Sequence, residues 1–425
     1  MLDIKFIREN KDLIREGARK KHLKFDVEAL LKVDDSRKEL LSSIEKKRSE
    51  QNLVSMRLPQ MKDPEAKQVL LNEMKTLKEG LQKEEEELKE IMKKWQTQML
   101  LVPNIPDVSV PEGDSDADNK EVKAWGEIPK FDFPIKDHIE IMERLDLADF
   151  TTGTKVAGFR GYFLKNEGAE LEFAIWQLAL DLFREKHPDY SLMVVPSLVK
   201  RETLLGTGYL PQGEDEIYKT QDDDFLAGTA EVATMSYYAD KVFKKEDLPK
   251  KMLAFSPCFR REAGSYSKDT KGIMRVHEFY KFEQVILCEA SHEISVKHHE
   301  ELLLNAEEIL QAMGIPYHVV ANCGGDLGQG QVKKYDIEAW IPTQNKYRES
   351  HSCSYFHDFQ TRRLNIKYKD EDGKLKFTHS LNNTAIATPR IIIALLENNQ
   401  QADGSVKIPE GLRKYMGGRE FIGRK

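Results

Sequence analysis

"CFRREAGSYSKDTKGIMRVHEFYKFEQV", residues 258–285, begins and ends like β-strand and turns polar in between, with glycines, lysines and an arginine near each edge. Side chains on a strand alternate between faces. That alternation places Cys258, Arg260 and Glu262 together on the first strand, and Arg275, His277, Phe279, Lys281 and Glu283 together on the second. A buried hydrophobic face does not carry such a set. Guanidinium forks clamp phosphates, a phenyl ring stacks on a base, and carboxylates hold a cation or an amine. The stretch therefore predicts a strand–loop–strand surface that receives a nucleoside triphosphate.

The same ingredients recur on either side. "GTAEV" (228–232) reads as a strand with Thr229 and Glu231 on one face. "YRESHSCS" (347–354) supplies Glu349 and Ser352, a carboxylate and a hydroxyl suited to Mg2+. "NNTAIATPRIIIALLENN" (382–399) puts Arg390 in the first turn of a helix, with Thr388 as N-cap and Pro389 at the first helical position. The apolar spacing after Arg390 buries that helix, so an arginine at its mouth calls for an anion.

No GxGxxG opens a helix after a strand, and there is no Walker lysine motif. The scaffold is thus neither Rossmann nor P-loop. Helices are expected over "GAELEFAIWQLALDLFREK" and "TPRIIIALLENNQ", and strands over "YSLMVVP", "KMLAFSPCF", "HEFYKFEQVILCE", "DIEAWIP" and "LNIKY". Without regular βαβ units, residues 130–425 read as an α+β domain built on an antiparallel sheet.

The first hundred residues differ. Alternate steps of three and four from Leu30 pass through Val33, Arg37, Leu40, Ile44, Lys47, Gln51, Val54 and Leu58; from Leu70 they pass through Met74, Leu77, Leu81, Glu84, Leu88, Ile91, Trp95 and Gln98. Each seam is mostly apolar and flanked by Lys and Glu, as in a coiled coil. "LPQMKDPE" breaks the pattern at Pro59 and Pro64. An antiparallel helical arm over about 27–100 follows, roughly 45 Å long at 1.5 Å per residue. Residues 103–129, rich in Pro and Asp, read as a linker.

Composition constrains the partners loosely. The net charge is −7, yet residues 1–100 hold 23 Lys+Arg against 20 Asp+Glu, so a nucleic-acid partner for the arm is permitted. Cys258, Cys288, Cys323 and Cys353 are too scattered for a thiolate zinc site. The adjacent His298 and His299 read as a solvated helix face. No apolar run is long enough for a membrane span, and the cytoplasm is the expected compartment.

Taken together, these segments resemble the class II aminoacyl-tRNA synthetases. "FRREAGSYSKDTKGIMRVHEF" is similar to their motif 2, "HPDYSLMVVPSLV" to motif 1 with Pro196 as the dimer-interface proline, and "NNTAIATPRIIIALLE" to motif 3. "GTGYLPQGEDEIY", "GTAEV", "DIEAWIPTQNKYRESHSCSYFHDFQTRR" and the N-terminal arm resemble the bacterial-type seryl-tRNA synthetases, along the whole chain.

The resemblance implies a homodimer that binds ATP, Mg2+, L-serine and tRNA(Ser), with a selenocysteine tRNA as a further candidate. It implies that Arg260 clamps the α-phosphate and the substrate carboxylate, with Arg261 and Glu262 beside it. Arg275 and Phe279 would sandwich the adenine next to Val276, and Arg390 would grip the γ-phosphate. Arg260 and Arg390 are thereby the catalytic pair. Glu349 and Ser352 would hold Mg2+, flanked by Ser350 and His351. Thr229, Ala230 and Glu231 would receive the amino group, and Glu283 and Thr384, with Asn382, the serine side chain. Lys268 and Lys271 in the motif 2 loop would meet the acceptor stem.

Two departures stand out. "NNTAIA" replaces glycines common before the motif 3 helix, and Glu278 stands where glutamine is common, on the strand face away from the site. A tRNA-independent amino-acid ligase, a non-catalytic scaffold, and threonyl or prolyl specificity are the rival readings.

Overall fold

The computed structural model describes residues 1–265 and 269–423. The chain divides into two compact units, Met1–Arg19 with Leu23–Pro103, and Lys20–His22 with Asn104–Lys425.

The first unit holds two short helices, Ile4–Glu9 and Lys11–Lys20, that the periodicity did not single out, and two long ones, α1 (Val27–Arg57) and α2 (Pro64–Leu101). Asp26 and Asp63 cap the long helices, each accepting a backbone N–H in the first turn, and Pro64 takes the first helical position. Every position on both expected seams is buried or half-buried, while most of the lysines and glutamates between are exposed. Three of the polar seam residues, Arg37, Lys47 and Glu84, make contacts across the interface. Lys47 meets Glu84 at 3.0 Å, Ser43 donates to Glu84 at 2.9 Å, and Arg37 lies over the Trp95 ring at 4.8 Å. Such pairs fix register more than they add stability.

The second unit is built on an eight-stranded sheet. Its strands in chain order are β1 (Lys120–Trp125), β2 (Ser191–Val194), β3 (Lys250–Phe259), β4 (Glu278–Cys288), β5 (Tyr317–Ala321), β6 (Lys333–Ile341), β7 (Lys346–His357) and β8 (His379–Ala387). They lie in the order β1-β5-β6-β7-β8-β4-β3-β2, antiparallel throughout except for the β2–β3 pair. Within the segment read as a linker, β1 closes one edge of this sheet; β2 forms the other.

Three helices, α3 (Asn166–Lys186), α4 (His292–Ala312) and α5 (Thr388–Asn398), pack on one face. Strand β4 shows how the two faces divide. Phe282, Ile286 and Cys288 belong to the helix-side core, whereas Phe279, Lys281 and Glu283 line a cavity on the opposite face. Period-two alternation thus separates a dry layer from a charged one.

Some expectations needed correction. Thr388 is not the N-cap of α5; Ala387 is, and the Thr388 hydroxyl donates instead to Glu172 at 2.6 Å. "GTAEV" is a turn running into the short helix Glu231–Ser236, because the Thr229 hydroxyl accepts from the Glu231 N–H and bends the chain. His298 and His299 are buried in α4, at 8% and 1% exposure, the first against Glu301 and the second against the Cys353 carbonyl. "LNIKY" begins as the end of a helical turn, and the strand is Lys367–Lys369. All four cysteines are buried free thiols. Among the described residues, no helix is long and apolar enough to cross a membrane.

Candidate active site

The cavity on the charged face is assembled by three strands, the segments that flank two of the strands, and the first turn of a helix. Phe279, Lys281 and Glu283 come from β4, Glu349, Ser350, Ser352 and Ser354 from β7, Asn382 and Thr384 from β8, and Arg390 from α5. Arg260 and Glu262 follow the end of β3, and Arg275 and Val276 precede β4.

Plain alternation cannot put residues 349 and 352 on one face, since their spacing is odd. A bulge resolves this. The β6–β7 register steps from Ile337 opposite His351 to Glu338 opposite Glu349, leaving Ser350 as an extra residue. A second bulge in β8, where Phe282 faces Ile386 but Glu283 faces Thr384, makes Ala385 the extra residue. Bulges re-aim side chains next to functional sites. They also define the path of "NNTAIA": a strand in which Thr384 faces the cavity and Asn383 turns to the helix side, donating to the Leu302 carbonyl at 2.7 Å.

One end of the cavity is dominated by guanidinium groups. Arg260 lies over the Phe279 ring at 5.3 Å. Arg275 pairs with Glu262 at 3.0 Å and with Asp269 at 3.3 Å. Arg390 donates to the carbonyls of Met274 (3.2 Å) and Glu349 (2.6 Å), and its nearest carboxylate, Glu349, is 3.5 Å away. Burial pushes the Arg390 pKa down and Arg260, Arg275 and Arg348 push it further, against the opposing pull of Glu349. Burial alone raises the Glu349 carboxyl, but Arg390, Lys334 and Arg260 outweigh it and hold it below its ordinary value. Positive charge is in excess here, as a polyanion site requires.

The other end is a buried polar cluster. Lys281 forms an ion pair with Glu283 and donates to the Thr229 hydroxyl at 2.7 Å. Thr384 lies 3.5 Å from Glu283. Glu231 accepts from the Tyr209 hydroxyl at 2.7 Å and the Gln360 amide at 2.6 Å. Burial raises the pKa of both Glu231 and Glu283, with hydrogen bonds opposing at the first and Lys281 at the second. Two carboxylates this poorly solvated are matched to a cationic amine and a hydroxyl donor.

Most of the cavity residues expected from the sequence meet in this one cavity, but Arg261, His351, Ala230 and His277 do not. Arg261 turns outward and donates to the Asp215 carbonyl at 3.0 Å. His351 is buried on the far side of β7, between Ser350 and the Ala385 carbonyl. Ala230 packs with Val195 and Ala254. His277 leaves its expected face, because regular strand begins only at Glu278, and lies near Phe159 and Tyr218. Pro196 is exposed beyond the edge strand β2. Lys268 lies outside the described residues; Lys271 is exposed. Conversely, Tyr209, Lys281, Gln331 and Ser354 line the cavity without having been assigned to it. Lys281 was placed on this face by alternation but given no role, and Ser354, two residues from Ser352, could have been found the same way. Tyr209 and Gln331 come from loops with no period.

Residues 1–106 match the seryl-tRNA synthetase N-terminal domain, and residues 217–399 match the tRNA synthetase class II core domain (G, H, P, S and T). The chain is 45% identical over its whole length to the serine–tRNA ligase of Deinococcus radiodurans, covering 99% of that protein. It belongs to the seryl-tRNA synthetase family. The serine–tRNA ligase of Caldicellulosiruptor saccharolyticus is 44% identical over 98% of the chain and 99% of that protein. A solved seryl-tRNA synthetase from Pyrococcus horikoshii complexed with ATP superposes with a TM-score of 0.91 at 38% identity, covering 99% of each chain. A Giardia lamblia prolyl-tRNA synthetase in complex with prolyl-adenylate, 18% identical with a TM-score of 0.56 over 64% of this chain and 53% of that one, shares the class II fold alone.

Proposed function

We propose that this protein activates L-serine with ATP and transfers it to the 3′ end of tRNA(Ser). The observation that carries this reading is the polarity of the cavity. Three guanidinium groups and a phenyl ring, with Arg260 over the ring, occupy one end, and a buried carboxylate–hydroxyl–ammonium cluster occupies the other. The nucleotide belongs to the first end and serine to the second, so the serine carboxylate meets the α-phosphate between them, beside Arg260.

In the first step a serine carboxylate oxygen attacks the α-phosphorus in line and pyrophosphate leaves. In the second, the terminal ribose hydroxyl attacks the seryl carbonyl and AMP leaves. Arg260 and Arg390 neutralise charge as it develops, and the cavity supplies orientation. Phe279 offers its face to the adenine. Arg260 lies over that ring at 5.3 Å, so it must swing off the ring to the α-phosphate as the base enters between Phe279 and Arg275. Glu231, held by Tyr209 and Gln360, receives the α-ammonium group, and Glu283 with Thr384 receives the side-chain hydroxyl. A site that pairs a hydroxyl rejects alanine, because its buried partners are then left unsatisfied.

Glu349 and Ser352 fit Mg2+ arriving with ATP. One carboxylate and one hydroxyl make a poor site for a bare ion but suit a cation that keeps waters and shares substrate phosphates. No group of three or more His, Cys, Asp or Glu poised for a metal occurs among the described residues. When bound, the ion would neutralise phosphate charge.

Amino-acid-dependent ATP–pyrophosphate exchange without tRNA tests this reading. Exchange is expected with serine and not with alanine, threonine or glycine, and Glu283→Gln is expected to lower serine kcat/KM about a hundredfold. Preference for another amino acid would overturn the serine assignment.

The arm and the dimer belong to the same proposal. The coiled-coil unit, with its small positive balance, suits shape-and-backbone recognition of tRNA. On the edge strand Leu192 and Val194 are 51% and 82% exposed, and just beyond it Pro196 is exposed and Leu198, in a separate short strand, is 50% exposed. An exposed apolar edge is an aggregation hazard unless paired. A second copy covering it predicts a particle of twice the 49.0 kDa chain mass by sedimentation, and a monomer at micromolar concentration would count against it.

A further inference from the structure

The loop Gly328–Gln331 at the edge of the cavity is held in an unusual way. Lys21 is buried, and its Nζ donates to the carbonyls of Gly328 (3.1 Å), Gln329 (2.9 Å) and Gln331. Asn104 supplies two further donors, its backbone N–H to the Gln329 carbonyl at 2.9 Å and its side-chain amide to the Gly330 carbonyl at 2.9 Å. All four carbonyls of the loop are therefore taken by two residues. These residues stand where the chain crosses between its two compact units, within Lys20–His22 and at Asn104. Burial pushes the Lys21 pKa well down. Three carbonyl acceptors, one for each ammonium proton, offset that by bonding the charged form. The loop is also seated from below, since a Cβ on Gly330 would come within 2.7 Å of the Phe359 ring.

The clamp has one consequence inside the cavity. The Gln331 side-chain oxygen accepts from the Gly328 N–H at 2.6 Å, so its amide nitrogen must face the other way, and it donates to the Ser354 hydroxyl at 2.7 Å. A serine hydroxyl has one proton and two lone pairs. With a lone pair filled by Gln331, the hydroxyl acts toward the cavity that Ser354 lines through its proton and its second lone pair. Ser354 sits directly across from Asn382, which is two residues from Thr384 on the same face of β8. That places it on the wall of the amino-acid end.

We propose that Ser354 is a further substrate contact, donating its hydroxyl proton to an oxygen of the bound amino acid, and that Gln331, Lys21 and Asn104 are positioning residues that aim it. The inference rests on the serine-activation reading of the cavity.

Pyrophosphate exchange with full-length variants tests it. Ser354→Ala is expected to raise serine KM roughly fivefold while ATP KM changes less than about twofold, the size of one lost neutral hydrogen bond. Gln331→Ala and Lys21→Met are expected to give the same serine-specific rise. Combining either with Ser354→Ala is expected to add nothing, because all act through one hydroxyl. Should Lys21→Met fail to fold, Gln331→Ala carries the same test without disturbing the carbonyl cage. An unchanged serine KM in Ser354→Ala, equal rises for serine and ATP, or multiplicative effects in the double variants would each overturn the proposal. Absence of serine-dependent exchange in the unmodified protein would instead overturn the reading beneath it, and this inference with it.

Discussion

Arg390→Ala is expected to reduce serine-dependent pyrophosphate exchange by about a thousandfold, the loss typical of removing a preorganised donor to developing charge. The same substitution is expected to leave the melting temperature within about 2 °C, a change of at most about 1 kcal/mol in a unit of this size. The two halves of the prediction come from one observation. Arg390 sits among Arg260, Arg275 and Arg348, its pKa is depressed by burial and by them, and its nearest carboxylate is at 3.5 Å. Its donors go to two carbonyls. In the unliganded protein the hydrogen bonds lost on truncation are thus offset by relief of repulsion and of desolvation. A polyphosphate reverses the sign of that environment, and only then does the guanidinium find charge to match its own. Arg390→Lys keeps the charge without the fork and is expected to recover part of the activity. If Arg390→Ala retained exchange within about tenfold, or melted well below the parent, the residue would be part of the scaffold rather than the machinery.

How much of this was legible in advance divides along physical lines. Periodic elements announced themselves: the seams from Leu30 and Leu70, the buried helix after Arg390, the strand carrying Phe279, Lys281 and Glu283. Each is a local pattern of period 3.5, 3.6 or 2, and local patterns need no knowledge of neighbours. What resisted was set by pairing. The bulges at Ser350 and Ala385 depend on the strand opposite, so alternation alone misplaces one residue at each. His299 looked solvated because its neighbours in sequence are charged, whereas its surroundings in space are Tyr335 and Tyr355. Lys21 and Gln331 meet across some three hundred residues of chain, and neither sits in a period. Thr229 and Glu231 share the cavity through a turn rather than a strand. A two-residue spacing is compatible with both, and the hydroxyl of Thr229 decides between them.

His299 yields the second large effect, on stability against pH. Its ring stacks on Tyr335, and Nε2 donates to the Cys353 carbonyl at 2.9 Å, so burial with one hydrogen bond holds it neutral and lowers its pKa from 6.5 to about 4. Lys333 disfavours the charged form further, while the Cys353 carbonyl and Asp107 oppose. As pH falls through 6.5 the unfolded chain takes up a proton that the folded one refuses until about pH 4. Stability is therefore lost across that window, by about 2 kcal/mol at pH 5. His299→Gln keeps a donor for the Cys353 carbonyl and cannot titrate. At pH 7 the variant is expected to be slightly less stable, for want of the aromatic stack. Between pH 7 and pH 5 its melting temperature is expected to fall about 3 °C less than that of the parent. Other groups pull in both directions in this range. Asp336, raised to about 7 by burial, favours the folded state as pH falls, while His351, His357 and His379, each lowered by burial to about 4, cost stability as His299 does. They act equally in parent and variant, so the difference between the two pH profiles isolates His299. Parallel profiles would mean that the imidazole protonates inside the fold at no cost, and that the helix carrying it opens far more readily than its packing against β7 implies.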